Sequence, residues 1–295
     1  MSQANLPLYG DPGILRRDPP RYGLLKWIGN KQRFASRIVS YFPERINSYF
    51  EPFVGSGAVL ATLRPARALA SDSFAPLMDI WSGVASEPDR VVRWYADRWE
   101  RFASGDRNAV YDEILRSYNK SPNAADLLFL CRACYGGVVR FRKADGFMST
   151  PIGIHNPISP SAFRKRVMEW HDRVSTVKFQ ICDYTESMRL AKRGDLVYCD
   201  PPYVFSQRIL YGAQNFELEG LFSEINACKR RGVSVALSID GHKRSGREKL
   251  DVEIPDGLFE QEIILEGGPS MLKRFQSRGR SLHEERVADR LLLTF

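Results

Sequence analysis

The residues best suited to chemistry form one short run, Asp200-Pro201-Pro202-Tyr203, directly after the apolar segment DLVYC. A carboxylate and a fixed main-chain carbonyl can accept the two hydrogens of an exocyclic amino group and turn its lone pair towards a methyl donor. Asp200 supplies the carboxylate, the carbonyl of Pro201 is the second acceptor, and the prolines keep the loop rigid. Tyr203 offers a ring on which a base swung out of a double helix can stack. The run predicts methyl transfer to a base amino group, with a plain turn after a strand as the alternative.

A second group of residues has the features of a nucleotide-binding loop. The segment EPFVGSG (51–57) contains Gly55 and Gly57, which let the backbone approach a ligand closely, and an apolar helical stretch follows. Asp72 ends the next predicted strand about twenty residues later, where a carboxylate suits the hydroxyls of a ribose. A loop for nicotinamide dinucleotides would have a third glycine where this chain has Leu60, which argues against a dehydrogenase.

The cysteines and histidines give no clear pattern of metal ligands. Cys131 and Cys134 form a CxxC pair, which binds zinc when a second pair lies nearby, but the run LLFLCRACYGG indicates a buried helix. Cys199 ends an apolar strand, and the chain lacks the Pro-Cys dipeptide that methylation at carbon-5 of cytosine requires. We therefore expect reduced, buried thiols and no metal, with zinc at the CxxC pair as the alternative.

The elements that must position these residues alternate along the chain in two blocks. Strands that alternate with helices predict a parallel, doubly wound α/β sheet of the Rossmann-like type, with ligands at the carboxyl ends of the strands. Two further strands, Gln261–Leu265 and Asp289–Thr294, are predicted to pair antiparallel at the sheet edge. The other predicted elements are the strands INSYFEPF, ARALASD, STVKFQICD, DLVYC and RRGVSVALSID, and a helix from Tyr184 to Lys192.

Between the two blocks the pattern changes. The stretches RVVRWYADRWERF, NAVYDEILRSYN and NAADLLFLCRACYGG predict helices, and a segment rich in Gly, Pro and Arg follows them. We predict a catalytic domain formed by residues 22–83 and 175–295, a mainly helical insert at 84–174, and an N-terminal extension at 1–21.

The charge of the chain favours a polyanionic partner. Lys and Arg outnumber Asp and Glu by 43 to 35, a net charge of +8, although such an excess alone is weak evidence. No apolar run has membrane-spanning length and the N-terminus lacks the layout of a signal peptide, so we expect a soluble cytoplasmic protein. The basic residues concentrate in three groups: Arg132, Arg140, Arg142 and Lys143; Arg164, Lys165 and Arg166; and Lys273, Arg274, Arg278 and Arg280.

The order of these motifs resembles the Dam-type (alpha-class) family of S-adenosylmethionine-dependent DNA adenine-N6 methyltransferases. The chain has LLKWIGNK at 24–31, then EPFVGSG, Asp72, the insert and DPPY, so the resemblance covers nearly everything from about residue 22. It implies a methyltransferase sheet with an inserted recognition subdomain. It also implies methyl transfer from S-adenosylmethionine to the N6 amine of an adenine flipped out of double-stranded DNA, at a specific site and without a metal.

The resemblance also implies a role for individual residues. Trp27 has core packing as its alternative, and Asp183 has ordinary turn chemistry. The segment 238–241 is similar to a wall of the target-base pocket, with a helix cap or a turn as the alternative. The implied cofactor-binding residues are Lys26, Trp27, Lys31, Glu51, Phe53, Gly55, Gly57, Asp72 and Asp183, and the implied catalytic residues are Asp200, Pro201, Pro202 and Tyr203.

Part of the insert resembles the recognition hairpin of that family, whose pattern is R-x-N followed by GxFNVPxG. Arg140, Phe141, Gly146, Phe147, Pro151 and Gly153 fit it, whereas Arg142 and Met148 stand at the positions taken as asparagine. Because asparagine reads adenine edges and arginine reads guanine edges, this difference speaks against a GATC-like target. Non-specific phosphate contact is the alternative for this basic loop. The implied DNA-binding residues are Arg140, Arg142, Lys143, Phe147, Lys273, Arg274 and Arg278.

Two rival functions stay open at this point. One is an amino methyltransferase acting on RNA or cytosine, which Asp200 disfavours because such relatives more often carry Asn or Ser there. The other is a DNA-binding protein that has lost catalysis, against which the intact motifs speak. We expect a bacterial or phage-encoded monomer or weak dimer associated with the nucleoid. A cognate restriction endonuclease acting on the same site, a solitary regulatory enzyme and a phage enzyme are the possible settings.

Overall fold

The computed structural model describes residues 18–142, 144–202, 216–240, 252–269 and 286–295. Within them, seven strands form one mixed sheet. Their bounds are β1 (Tyr49–Glu51), β2 (Ala68–Asp72), β3 (Lys178–Ile181), β4 (Leu196–Cys199), β5 (Ser234–Asp240), β6 (Gln261–Pro269) and β7 (Arg286–Leu293). The order across the sheet is β3-β2-β1-β4-β5-β7-β6, with β1 to β5 parallel and β7 antiparallel to both of its neighbours.

The point where the strand order reverses lies between β1 and β4. Tyr49 of β1 pairs with Ala68 on one side and with Leu196 on the other. Ligands of open α/β sheets bind at the carboxyl ends of the strands beside such a switch point. Glu51 ends β1 and Asp200 follows β4, so the two carboxyl groups predicted from separate motifs lie on either side of it.

Successive residues of the central strands face two separate hydrophobic cores, which accounts for the doubly wound architecture. Tyr49 belongs to one core, and Phe50, the next residue, belongs to the other. The first core contains side chains of α1 to α7 and the second those of α8 and α9. The helices are α1 (Ala35–Ser40), α2 (Ala58–Leu63), α3 (Ala75–Ser86), α4 (Pro88–Ser104), α5 (Arg107–Lys120), α6 (Ala124–Ala133), α7 (Pro160–Val174), α8 (Tyr184–Leu190) and α9 (Leu218–Arg230).

The inserted helices share the first core with the sheet. Trp81 of α3 is fully buried, and its ring lies 5.2 Å from that of Trp170 in α7 and 6.0 Å from that of Phe179 in β3. Farther from the sheet, Tyr95 of α4 stacks on Phe163 of α7 at 4.0 Å. The inserted helices therefore pack against the sheet through this shared hydrophobic core. The predicted domain boundaries themselves stay a prediction.

The predicted fold class is confirmed, with two differences in detail. The C-terminal strands do pair antiparallel, but β7 lies inside the sheet and β6 forms its edge. Helix α7 was not predicted, although Ser159 caps it, Pro160 is its first residue, and buried Phe163, Val167 and Trp170 recur at helical spacing. Within the described residues, no helix combines the length and the apolar character needed to cross a membrane.

Candidate active site

Lys31 lies buried at the carboxyl edge of the sheet, between two carboxylates. Its ammonium nitrogen is 2.7 Å from Oδ1 of Asp200 and 3.7 Å from Oδ2 of Asp289, and only 4% of its side chain is exposed. It also donates a hydrogen bond to the carbonyl of Gly29 at 3.3 Å. Burial alone lowers the pKa of Lys31, but Asp200 and Asp289 raise it well above the ordinary value, so the ammonium stays charged.

A short 3-10 turn holds Lys31 in place. The turn spans Lys31–Arg33, and the side chain of Asn30 caps it by accepting a hydrogen bond from the backbone N–H of Gln32 at 2.8 Å. Lys31 was predicted to bind the cofactor. Its direct partner here is the carboxylate of Asp200, and the cofactor contact stays a prediction.

Glu51 is a second buried carboxyl group at this edge. The hydroxyl of Tyr49 donates to Oε2 of Glu51 at 2.6 Å, and the residue is 2% exposed. Burial raises the pKa of Glu51 to about 8 against the opposing hydrogen bond from Tyr49, and the negative charge of Asp200 adds to the increase. At neutral pH Glu51 is therefore mostly protonated, whereas Lys31 beside Asp200 carries its full charge.

The glycine loop after β1 has a fixed shape. Gly55 and Gly57 have φ angles of +43° and +64°, in the left-handed region that side chains disfavour. A Cβ atom on Gly55 would lie 3.3 Å from the indole nitrogen of Trp27, and one on Gly57 would lie 3.2 Å from the ring of Trp81. The indole N–H of Trp81 donates to the carbonyl of Gly55 at 2.9 Å. Two tryptophans thus hold this loop, which explains why glycine occupies both positions.

Asp72 lies next to this loop at the end of β2. It accepts a hydrogen bond from the backbone N–H of Phe74 at 3.1 Å, and the N–H groups of Gly55 and Ser73 also favour its charged form. Burial outweighs these bonds and raises the pKa of Asp72 to about 6. The carboxylate is therefore mostly ionised at neutral pH, and an ionised carboxylate accepts hydrogen bonds from ligand hydroxyls.

Three aromatic rings line the other side of the glycine loop. Phe53 stacks on Tyr184 with ring centroids 5.3 Å apart, and Phe216 meets them edge-on at 5.7 and 5.9 Å. Phe53 was predicted from its motif, while Tyr184 and Phe216 were not, although the position of Tyr184 next to Asp183 was a usable indication. Asp183 caps α8 by accepting from the N–H of Thr185 at 2.9 Å. This is the turn chemistry named as its alternative, and its cofactor role stays a prediction.

The structure brings most of the predicted site residues to one edge, but it turns Lys26 towards the insert. The ammonium of Lys26 donates to the carbonyl of Arg132 at 3.4 Å, and the side chain packs closely against Gly137. Burial and the nearby guanidinium of Arg132 lower the pKa of Lys26. Trp27 lies against Gly55, so consecutive residues of one motif face the insert and the glycine loop.

Residues 238–241 were predicted as a pocket wall, a helix cap or a turn. Those of them that the structure describes, 238–240, belong to β5. Ser238 is fully buried inside β5, and its hydroxyl shares a hydrogen bond with that of Tyr198 at 2.9 Å. Ser238 therefore presents no exposed surface to a pocket, and the pocket role of the rest of the segment stays a prediction. Pro201 is buried, Pro202 is half-buried, and Tyr203 and Gly241 lie outside the described residues.

The predicted recognition hairpin forms between α6 and α7. Phe141 and Met148 bridge its two arms, and the backbone N–H of Arg142 donates to the carbonyl of Phe147 at 2.9 Å. Asn119 of α5 clamps one arm, because its amide donates to the carbonyl of Met148 at 3.0 Å and accepts from the N–H of Met148 at 2.8 Å. The hairpin is therefore tied to a helix and its tip points outward.

The hairpin side chains divide into buried and exposed sets. Arg140 and Arg142 are exposed, and the guanidinium of Arg142 pairs with Asp145 and lies 5.5 Å from the ring centre of Phe147, which is 43% exposed. Met148 is only 2% exposed, so its assignment as a base-reading position was wrong. Counted from Gly146, the asparagine of the GxFNVPxG pattern falls on Ser149, and Met148 falls on the apolar phenylalanine position.

The basic groups also divide on structural grounds. Arg132 is 2% exposed and donates to the carbonyl of Leu24, so it does not belong to a surface for polyanions. Arg166 donates to the carbonyl of Gly23 at 3.1 Å, and exposed Arg164 pairs with Asp89. The other predicted basic residues that bear on DNA lie outside the described residues: Lys143, Lys273, Arg274, Arg278 and Arg280.

The CxxC cysteines are buried thiols of the hydrophobic core. Cys134 donates a weak hydrogen bond to the carbonyl of Cys131 at 3.9 Å, and burial raises the pKa of both thiols. Cys199 is likewise buried inside β4, and burial raises its pKa. Across the described ranges, no three or more His, Cys, Asp and Glu side chains are grouped so that they could hold a metal ion.

Comparisons with known proteins agree with this arrangement. A type II methyltransferase of Lactococcus lactis subsp. cremoris is 25% identical over 190 residues, which are 61% of this chain and 64% of that protein. A DNA adenine methylase of Vibrio cholerae is 27% identical, over 72% of this chain and 79% of the relative. A DNA adenine methylase of Serratia marcescens is 30% identical, over 61% of this chain and 66% of the relative.

A family profile decides the classification. The profile describes D12 class N6 adenine-specific DNA methyltransferases and matches residues 27–259, most of the chain. It confirms the resemblance that the ordered motifs predicted and, at the level of the family, the predicted class of enzyme. The chain belongs to the D12 class of N6 adenine-specific DNA methyltransferases.

Proposed function

We propose that this protein transfers a methyl group from S-adenosylmethionine to the exocyclic N6 amine of an adenine in double-stranded DNA, at a specific sequence. The observation that carries the proposal is the pairing of Asp200 with buried Lys31 at the end of β4, directly before Pro201. A buried cation holds a carboxylate ionised and oriented. An ionised, fixed acceptor is what the weakly nucleophilic amine of adenine requires.

The acceptor groups act on the amine as follows. Asp200 accepts one hydrogen of the amine and the carbonyl of Pro201 accepts the other, so the nitrogen lone pair turns towards the methyl group. Transfer would form the bond from nitrogen to methyl and break the bond from methyl to the donor sulfur, which would keep the electron pair. The amine would then pass one proton to water. The contribution of the protein is orientation and electrostatic stabilisation, since Lys31 fixes the carboxylate before the base arrives.

The residues around the glycine loop fit a nucleoside cofactor. Asp72 presents an oriented carboxylate for ribose hydroxyls. The rings of Phe53, Tyr184 and Phe216 form an apolar surface suited to an adenine ring. When bound, S-adenosylmethionine supplies a methyl group activated by its positive sulfur. Protonated Glu51 itself adds no full negative charge beside Asp200 at neutral pH.

The exposed hairpin supports DNA as the macromolecular substrate. Arg140 and Arg142 present guanidinium groups that suit guanine edges or phosphates, and exposed Phe147 stands at the same tip. The recognition sequence follows from contacts that this tip makes with bases. A cognate restriction endonuclease stays a prediction, because named relatives include both a type II methyltransferase and DNA adenine methylases.

The proposal is tested by transfer of a labelled methyl group to matched DNA and RNA. We expect label in duplex DNA, released as N6-methyladenine, and label in RNA alone would contradict the proposal. DNA binding without any transfer would instead support the non-catalytic alternative. Asp200→Ala should abolish transfer while donor affinity changes little. Glu260→Gln, which removes a surface carboxylate paired with Lys229, is the matched control and should keep full activity.

A further inference from the structure

Strand β7 brings a second carboxylate to Lys31 that no motif predicted. Asp289 lies in β7, which is outside the 27–259 range matched by the family profile. Its Oδ2 atom is 3.7 Å from the ammonium of Lys31, and 11% of its side chain is exposed. The ammonium of Lys31 thus has Asp200 on one side and Asp289 on the other.

The antiparallel direction of β7 accounts for this position. Asp289 pairs in register with Asp240 of β5 and with Leu265 of β6, so it lies at the edge where the parallel strands end. The next residue, Arg290, pairs with Glu262 of β6 through its guanidinium at 2.6 Å. Because successive side chains of a strand face opposite sides, these two neighbouring charged residues belong to different surroundings.

Asp289 changes the total charge of the group of side chains at this edge. Lys31 and Asp200 alone make a neutral pair, whereas the carboxylate of Asp289 brings the formal charge of these three side chains to −1. Glu51 adds little charge there because its pKa is about 8. During methyl transfer the positive charge of the donor passes to the amine of the base. A net negative group beside that amine stabilises the charge as it develops.

We propose that Asp289 is a positioning residue for methyl transfer, acting through Lys31 on the orientation and local charge of Asp200. This inference rests on the proposed function of Asp200. Asp289 keeps the Lys31 ammonium between two carboxylates, so Lys31 orients Asp200 without cancelling the negative charge at the edge. Asp289 itself touches neither the base nor the donor.

The test compares Asp289→Asn with Glu262→Gln. Both variants remove one carboxylate from the β6–β7 pair and keep its size, but only Asp289 faces Lys31. We expect Asp289→Asn to lower kcat by about tenfold or more. This is less than the loss of about 10²–10³-fold for a group that contacts the transition state directly, because Asp289 acts through Lys31. Its melting temperature, its affinity for the donor and its affinity for DNA should stay close to wild type. Glu262→Gln should keep wild-type kcat.

A second pair of variants gives a result that a merely structural role would not produce. Lys31→Met removes the cation that lies between the two carboxylates, and their repulsion then disfavours the ionised form of Asp200. Removing Asp289 from that background relieves the repulsion, so Lys31→Met/Asp289→Asn should be at least as active as Lys31→Met. The same substitution therefore lowers activity when Lys31 is present and does not lower it when Lys31 is absent.

The outcomes separate this inference from the proposed function. No transfer by the wild-type protein would contradict the proposed function. Active wild type with Asp289→Asn within twofold of it would overturn only the role of Asp289. A combined loss of kcat, donor affinity and melting temperature in Asp289→Asn would also overturn it, since such a loss indicates a structural role. If Asp289→Asn does not fold, the comparison within the Lys31→Met background decides, and a further loss in the double variant overturns the inference.

Discussion

The carboxyl-edge cluster (Lys31, Glu51, Asp200 and Asp289) and the recognition hairpin (140–149) carry charge in opposite ways. In the cluster, Lys31 is buried and contacts its two carboxylates across the sheet edge. In the hairpin, Arg142 is exposed and its pairing with Asp145 is local, three residues along the chain. The cluster is assembled from four distant segments, whereas the hairpin is one segment with backbone pairing of its own.

This difference separates the two requirements of the proposed reaction. Buried charges are costly unless they are paired, so loss of the central cation of the cluster disturbs both stability and chemistry. Exposed charges interact weakly with one another and keep their capacity for bases and phosphates. Substitutions in the hairpin can therefore alter which DNA sequence is bound, while the cluster keeps the same methyl-transfer chemistry.

The largest effect is expected for the centre of the cluster. Lys31→Met leaves two carboxylates at a buried edge without their cation, and breaking a buried pair costs about 3–5 kcal/mol. We expect the free energy of unfolding to fall by about that amount and single-turnover methyl transfer to slow by about 10²-fold, which leaves a measurable rate. Denaturant unfolding and single-turnover kinetics measure the two effects. Arg64→Met, which breaks an ion pair with the exposed carboxylate of Asp172, is the control.

A nearly unchanged stability of Lys31→Met would show that the pairs seen at 2.7 and 3.7 Å contribute little. The buried pairs of the cluster would then stabilise the fold no more than the exposed charges of the hairpin do. Loss of stability with full transfer activity would instead remove Lys31 from the chemistry.

The second prediction compares two adjacent residues of the hairpin. Met148 is 2% exposed and Phe147 is 43% exposed, so only Met148 contributes to the core. Met148→Ala should lower the free energy of unfolding by about 2–4 kcal/mol through lost burial and a cavity. Phe147→Ala should change it by less than about 0.5 kcal/mol and weaken DNA binding several-fold. Equal stability losses in the two variants would contradict the division of hairpin side chains.

Whether a residue of the cluster is predictable from the sequence depends on its position relative to the strands. Glu51 ends one apolar strand and Asp200 directly follows another. Parallel strands bring their carboxyl ends to one edge, so the proximity of the two residues was predictable. Asp289 was not, because its position depends on β7 entering the sheet between β5 and β6. Its contact with Lys31 joins residues more than 250 positions apart, for which local pattern carries no information.

Burial explains the other errors. Arg132 was counted with the exposed basic residues because charge is visible in a sequence and burial is not, yet it bonds to Leu24 inside the molecule. Met148 was assigned a base-reading position through a one-residue miscount, which its burial reveals. Helix α7 has a cap, a proline at its start and apolar residues at helical spacing, so it was predictable from the sequence.

The third prediction concerns an exposed charge at the hairpin tip. Arg142→Ala should leave stability unchanged, because its partner Asp145 is also exposed. If Arg142 reads a base edge, the variant should lose about 1–3 kcal/mol of discrimination at one position of the target, while a phosphate contact would weaken binding to all sequences alike. Affinities for a set of single-base variants of the methylated sequence distinguish the two. No change in either affinity or discrimination would exclude Arg142 from the interface.

The smallest effect is a pH dependence of donor affinity at Asp72, beside the cluster. Burial raises the pKa of Asp72 to about 6, against the backbone N–H bonds of Phe74, Gly55 and Ser73. If the ionised carboxylate accepts ribose hydroxyls, protonation competes with binding, so affinity should fall about tenfold from pH 7 to pH 5. Glu51 stays protonated throughout pH 7 to 5, since its pKa is about 8. The decrease below pH 7 therefore belongs to Asp72.

Calorimetric titration with S-adenosylmethionine between pH 5 and 7 measures this decrease, with circular dichroism to verify that the protein stays folded. Asp72→Asn should bind the donor more weakly than wild type at pH 7, and its affinity should not change with pH in this range. A wild-type affinity that is constant from pH 7 to 5 would exclude Asp72 as the ribose acceptor. A slope that persists in Asp72→Asn would assign the titration to another group.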